Sequence, residues 1–130
     1  VLTKEGREKI IRYLKNITHL LVKSQSDEGF WDKNWDGHEL DLSSEKAFTP
    51  RARRILATGH AMEWWALAPQ EVLPPAETLQ KAGHWLVNSI QEMPESEIKN
   101  SYTFLSHAGR ALALWRGKFP SQVDLSHQGK

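Results

Sequence analysis

The sequence predicts an all-α domain of two antiparallel helix pairs. Three observations support this prediction: apolar residues recur at helical spacing over four stretches, no stretch alternates apolar and polar residues as a strand does, and the second pair of stretches repeats the first. At 130 residues the chain has the length of one domain with its own core. The four-helix domain is expected to cover residues 1–117, followed by a loosely ordered tail at residues 118–130.

The first helix is predicted over residues 3–25. Its apolar residues fall at spacings of three and four and form a wide stripe made of Ile10, Ile11, Tyr13, Leu14, Ile17, Leu20 and Leu21. The second helix is predicted to begin at Thr49 and Pro50, because threonine caps helices well and proline suits the first helical position. It should end before Pro69.

The third and fourth helices are bounded by similar signals. The pair Pro74 and Pro75 introduces the third, which continues towards Pro94. The fourth starts after a cap at Asn100 or Ser101 and is expected to stop at a glycine, Gly117. Its apolar face consists of Phe104, Ala108, Ala111, Leu112 and Trp115.

A repeat relates the two helix pairs. Residues 59–68 (GHAMEWWALA) align with residues 106–115 (SHAGRALALW), which places His60 on His107. Residues 19–25 (HLLVKSQ) align in the same way with residues 84–90 (HWLVNSI). Each pair therefore has an outer and an inner helix, and stacking the pairs should bury faces that one pair alone leaves open.

Composition excludes several classes of protein. The absence of cysteine removes disulfides, thiol nucleophiles and cysteine-ligated zinc. No apolar run approaches the roughly 18 residues that a membrane span requires. Residues 1–25 carry a net charge of +4 and residues 26–49 a net charge of −5, so the two segments can neutralise each other. We therefore expect no nucleic-acid binding, and the composition leaves the cellular compartment open.

The segment Leu21-x-x-x-Gln25-x-x-x-Gly29-x-Trp31 resembles the QW motif of squalene and hopene cyclases and related α/α toroids. The resemblance implies a structural clasp, in which Gln25 ties down the start of a neighbouring inner helix and Trp31 packs against it. A side-chain amide can form hydrogen bonds with the unpaired backbone groups at a helix end, and glycine permits the chain to turn sharply after the helix. A large indole ring can fill the space where the two helices meet. The second repeat has Ile90 in place of the glutamine, so one clasp is complete.

The toroid resemblance implies a larger assembly than this chain provides. A toroid contains more helix pairs than the two found here, so we expect a C-terminal part of a longer protein, or a homo-oligomer that completes the ring. The D-x-D-D string of the cyclases is missing, as is the cysteine that prenyltransferases use to bind zinc. Polyprenyl chemistry is therefore not expected.

A metal loop is the alternative interpretation of the segment after the first helix. Asp32, Asn34 and Asp36, followed by Gly37, match the first half of an EF-hand loop. The second half departs from the pattern, because Ser43 stands where a bidentate acid is required. The clasp is the favoured interpretation, and no metal or cofactor is predicted.

The inner helices carry a second resemblance. Gly59-His60-x-x-Glu63-Trp64 resembles the G-H-x-x-E-W signature of the N-acylglucosamine 2-epimerase and mannose isomerase family, and His107-x-x-Arg110-x-Leu112 is similar to its later H-x-x-R-x-L segment. The resemblance implies that His60 and His107 face each other across a cavity as general acid and base. It also implies that Glu63 and Arg110 contact the sugar and that the Trp64 ring stacks against it.

Three interpretations of these inner-helix residues stay open. Thr58 stands where the family has proline, and each histidine has a charged residue three positions later, a spacing typical of ordinary pairing on one helix. Two imidazoles and one carboxylate would also suit zinc or iron. We therefore assign no catalytic residue and predict a binding or structural domain whose candidate ligand is a small molecule or carbohydrate. The alternatives are part of a sugar epimerase or isomerase active site and an assembly module.

Overall fold

A computed structural model describes residues 1–32 and 49–118, and it confirms the all-α class. This part of the chain contains no strand and folds as α1 (Lys4–Ser24), α2 (Pro50–Leu67), α3 (Ala76–Gln91), α4 (Glu95–Asn100) and α5 (Tyr102–Lys118), with a 3-10 turn at Gln70–Val72. Among these helices none has the length and apolarity that crossing a bilayer demands. The predicted tail, apart from Lys118, lies outside the described residues.

The predicted start of the second helix is confirmed in its details. The Thr49 hydroxyl accepts a hydrogen bond from the backbone N–H of Ala52 at 3.2 Å, and Pro50 occupies the first turn of α2. The short helix α4 was not predicted, because six residues are too few to show an apolar period. Pro94 precedes it, and Glu95 and Glu97 lie in its first turn, where carboxylates interact favourably with the helix dipole.

The core forms around α2 and α5. These two helices run in the same direction, because Gly59 lies against Ala108 near their middles and the Lys118 amine donates to the Ala66 carbonyl at their ends. Helix α3 runs opposite to α2, since Arg51 at the start of α2 donates to the Glu92 carbonyl after α3. The largest fully buried side chains are Trp65, Trp115, Ile55, Met62, Leu86, Val72 and Thr58.

Helix α1 contacts this core only through its second half. Thr18 and Leu21 are its buried residues, and the Thr18 hydroxyl donates to the Val72 carbonyl while accepting from the Trp65 indole. Three residues of the predicted apolar stripe, Ile10, Tyr13 and Leu20, stay 43%, 57% and 44% exposed. The stripe is wider than the surface to which α1 is attached.

Gln25 and Gly29 join α1 to α3. The Gln25 amide donates to the carbonyl oxygens of Thr78, at 2.9 Å, and of Gly29, at 3.0 Å. The toroid resemblance implied a bond to the start of an inner helix, whereas Thr78 lies in the first turn of α3, the predicted outer helix. Since the acceptor is a carbonyl, Gln25 does not pair with the N–H groups that a helix start leaves unpaired.

Trp31 joins α1 to α2. Its side chain is 2% exposed, its indole donates to the Leu21 carbonyl at 2.9 Å, and its backbone N–H donates to the Thr58 hydroxyl at 3.1 Å. Its ring also makes an edge contact with the ring of Trp65, with centroids 5.6 Å apart. The indole therefore satisfies a carbonyl in the last turn of α1 while filling the core.

Candidate functional site

The candidate site depends on a close approach between α2 and α5. A Cβ atom added at Gly59 would lie 3.1 Å from the Cα and 3.2 Å from the backbone nitrogen of Ala108. Glycine at this position lets the two backbones come together, and the next residue on α2, His60, is thereby placed beside the residue before Ala108, His107. The sequence repeat aligned these histidines, but the glycine that positions them was not singled out.

Gly59→Ala should move the two helices apart. We expect overpacking to cost about 1–3 kcal/mol and the higher helix propensity of alanine to return up to about 1 kcal/mol, leaving a net loss on the order of 1 kcal/mol. The matched control is Gly109→Ala on α5, where an added Cβ meets no atom within 4 Å. That variant should gain up to about 1 kcal/mol. Urea unfolding followed by circular dichroism measures both, and equal stability of the two variants would contradict the close approach.

Four of the predicted site residues lie together on the α2/α5 surface. The Glu63 carboxylate accepts from Arg110 Nε at 3.0 Å through one oxygen and contacts His107 Nδ1 at 3.2 Å through the other. The His60 and His107 rings meet edge to face with centroids 4.6 Å apart. The Glu63 side chain is 14% exposed, whereas those of His107 and Arg110 are 41% and 62% exposed. One mostly buried carboxylate thus organises an accessible polar surface.

The polar pairs form between the helices and not within them. The spacing of three residues predicted ordinary pairing of His60 with Glu63 and of His107 with Arg110. In the structure Glu63 on α2 instead pairs with both His107 and Arg110 on α5. Because its Nδ1 faces a carboxylate, His107 is held in one orientation, and its Nε2 is the nitrogen left for a ligand.

Burial and the neighbouring side chains shift the pKa of His60. Partial burial lowers the pKa of His60, the adjacent His107 lowers it further, and the nearby Glu63 carboxylate raises it to a smaller extent. The lowered pKa favours the neutral imidazole at neutral pH, which has one nitrogen to donate and one to accept.

The lowered pKa of His60 predicts a loss of stability in acid. Below the ordinary histidine pKa of 6.5, the unfolded chain binds a proton that the folded His60 disfavours, so stability falls as the pH drops through 6.5 and below. We expect this contribution to be below about 1 kcal/mol, since the ring is partly exposed to solvent. His60→Gln should reduce the loss. His84→Gln, on the exposed side of α3, is the control, and an equal change in both variants would refute the assignment.

Trp64 and the histidine rings depart from the arrangement that the epimerase resemblance implied. Trp64 is partly buried against the core, and its described ring contact is with Trp65, at a centroid distance of 5.9 Å. It follows His60 by one helical turn and therefore flanks the polar group. The resemblance placed the histidines across a cavity, but here their rings are in contact. A sugar carbon does not fit between them.

The metal interpretations receive no support from the described residues. The Asp32 carboxylate is engaged by Arg54 Nε at 2.9 Å, while Asn34 and Asp36 lie outside the described residues. Within residues 1–32 and 49–118, no group of three or more histidine or acidic side chains is arranged to bind a metal ion. His60, Glu63 and His107 are therefore not arranged as a metal site either.

A hollow that the sequence did not indicate lies elsewhere on α5. It is open to solvent, has a volume of about 570 Å³, and is lined by Leu112, Ala113, Arg116 and Gly117. The small side chain of Ala113 and the absence of one at Gly117 leave this space near the end of α5. Arg116 is the one charged group among its described lining residues, so these residues offer less polar chemistry than the surface around Glu63.

Comparison with known proteins adds no relative: no family model matches the chain, and neither a curated protein nor a solved structure does. The resemblances to the α/α toroids and to the epimerase family therefore stay predictions.

Proposed function

We propose that this helical domain binds a small carbohydrate-like ligand on the surface formed by α2 and α5. The single observation that supports the proposal is that Glu63 pairs with both His107 and Arg110 and so fixes these two accessible polar side chains beside His60. Hydroxyl-rich ligands need such closely spaced donors and acceptors, and Trp64 supplies a flanking apolar ring. These polar groups lie outside the cluster of buried core residues.

The energetics of the Glu63 group favour a binding role over a purely structural one. Ion pairs to side chains as exposed as His107 and Arg110 contribute only about 0–1 kcal/mol to stability. The buried surfaces of Trp65 and Trp115 already hold α2 and α5 together. The ion pairs between the two helices therefore contribute little to folding stability, and they lie next to the two histidines. Binding of a ligand to these side chains explains their arrangement better than stability does.

Thermal unfolding with and without sugar tests the proposal. We expect N-acetylglucosamine or mannose, at about 100 times its dissociation constant, to stabilise the wild-type chain by about 2.7 kcal/mol, which is a rise of several degrees in Tm. The variants His60→Ala and His107→Ala should lose this response, whereas His84→Ala should keep it. If no sugar shifts the wild-type Tm at any concentration, the carbohydrate proposal fails.

Proton transfer on a bound sugar is the second candidate function. The observation that favours it is the contact of Glu63 with His107 Nδ1, since a carboxylate in that position orients the other ring nitrogen, Nε2, towards a substrate. With the two rings in contact, a single base would act, assisted by its neighbour. Incorporation of deuterium from D₂O at the carbon next to the sugar carbonyl measures this activity. Glu63→Gln should abolish it while leaving sugar binding detectable.

A further inference from the structure

Helix α1 presents an apolar flank that is largely exposed to solvent. Ile10, Tyr13 and Leu20 are 43%, 57% and 44% exposed, and together with the partly buried Ile17 they are spaced three, four and three residues apart. This is the spacing of a seam that packs against another protein surface. We call Ile10, Tyr13, Ile17 and Leu20 the α1 flank.

The α1 flank is bordered by positive charge. Lys9 lies one helical turn before Tyr13, and Lys23 lies one turn after Leu20, so both side chains edge the flank. The ion pair of Lys9 with Glu5 is exposed on both sides, at 72% and 79%, and therefore rearranges at little cost.

A second exposed apolar surface, with the opposite charge, lies around α4. Ile98 and Tyr102 are 40% and 80% exposed, and Glu92 and Glu95 are exposed beside them in the sequence. Residues 92–102 carry three glutamates against one lysine. That lysine, Lys99, is paired with Glu95 at 2.8 Å, but both side chains are exposed, at 72% and 82%, so this ion pair also rearranges at little cost. We call Glu92, Glu95, Ile98 and Tyr102 the α4 patch. It belongs to the second helix pair, whereas the α1 flank belongs to the first.

We propose that copies of this chain associate head to tail, the α1 flank of one copy packing on the α4 patch of the next. Charge complementarity selects this pairing, because two α1 flanks, or two α4 patches, would bring like charges together. The contact joins two different surfaces, so it is heterologous and extends to rings or chains rather than stopping at a symmetric dimer. It uses none of the residues of the proposed sugar site, so each proposal can fail without the other.

Sedimentation equilibrium of the full 130-residue chain tests the association. We expect the average mass to rise with concentration and the association to weaken as salt is added. The double variant Lys9→Glu with Lys23→Glu, and separately Glu92→Lys with Glu95→Lys, should each weaken self-association at least about tenfold. The matched control is Lys4→Glu with Lys15→Glu, which makes the same change in net charge on another side of α1 and should change it less than about threefold.

Mixing the two charge-reversed variants provides the decisive measurement. The acidic α1 flank of one variant then faces the basic α4 patch of the other, so a mixed complex should form at concentrations where neither variant alone associates measurably. The proposal is overturned by a wild-type chain that stays monomeric up to about 1 mM, or by a mixture that forms no complex while circular dichroism shows both variants folded. Binding of monomeric wild-type chain to phosphatidylserine vesicles, lost in the lysine variant, would assign the α1 flank to a lipid surface instead.

Discussion

Replacing Trp31 by alanine is expected to remove about 3–5 kcal/mol of stability, the largest loss that we predict for any single side chain. The indole is 2% exposed and contacts the Trp65 ring, so its removal leaves a cavity between α1 and α2. It also deprives the Leu21 carbonyl of the hydrogen bond from Nε1. Because domains of this size are stable by about 5–15 kcal/mol, the variant should unfold at much lower urea concentration.

Trp31→Phe separates packing from hydrogen bonding at the same position. Phenylalanine keeps an aromatic ring in the core but cannot donate to the Leu21 carbonyl, so we expect a loss of about 1–3 kcal/mol. Ser24 donates to the same carbonyl at 3.1 Å, which should keep the loss towards the lower end. A loss below about 1 kcal/mol for Trp31→Ala would mean that Trp31 does not join α1 to the core.

The fold was predictable to the extent that local signals determine it. Thr49 followed by Pro50 marks a helix start by chemistry that acts within four residues, and the structure has that start. The position of α1 depends instead on which surface the rest of the chain offers, and periodicity says nothing about that. The exposure of Ile10, Tyr13 and Leu20 therefore could not be derived from their spacing.

The candidate site was predictable in its members and less so in its geometry. The internal repeat placed His60 and His107 at equivalent positions, and parallel helices bring equivalent positions side by side. Which residue pairs with Glu63 depends on the distance between two helices, and that distance is set by Gly59 against Ala108. Pairing within a helix follows from spacing alone, so the sequence indicated those pairs and missed the ones between helices.

The structural and the proposed functional residues occupy different positions along α2. Trp65 and Met62 are almost fully buried, while His60 is exposed and Glu63 partly so. Substitutions at the histidines should therefore leave the fold intact, which makes loss of ligand binding interpretable in those variants. Substitutions in the segment from Gln25 to Trp31 should act on stability first.

Gly29→Ala is expected to cost about 3 kcal/mol or more, for two reasons that add. Gly29 has a φ of +110°, a backbone conformation that costs non-glycine residues about 1–3 kcal/mol. An added Cβ would also lie 2.5 Å from the Lys81 carbonyl oxygen and 2.7 Å from its carbon, so α3 would have to move. That movement would strain the hydrogen bond from Gln25 to the Thr78 carbonyl one turn earlier in α3.

Gly29→Asn distinguishes the two causes. Asparagine tolerates positive φ better than alanine does, so a purely conformational cost would be smaller in this variant. Crowding against Lys81 is the same for both, because both residues carry a Cβ, and we therefore expect Gly29→Asn to be almost as unstable as Gly29→Ala. The control is Gly117→Ala, where an added Cβ meets open space on α5 and stability should not fall. Near-wild-type stability of Gly29→Asn in urea would show that the segment does not press against α3.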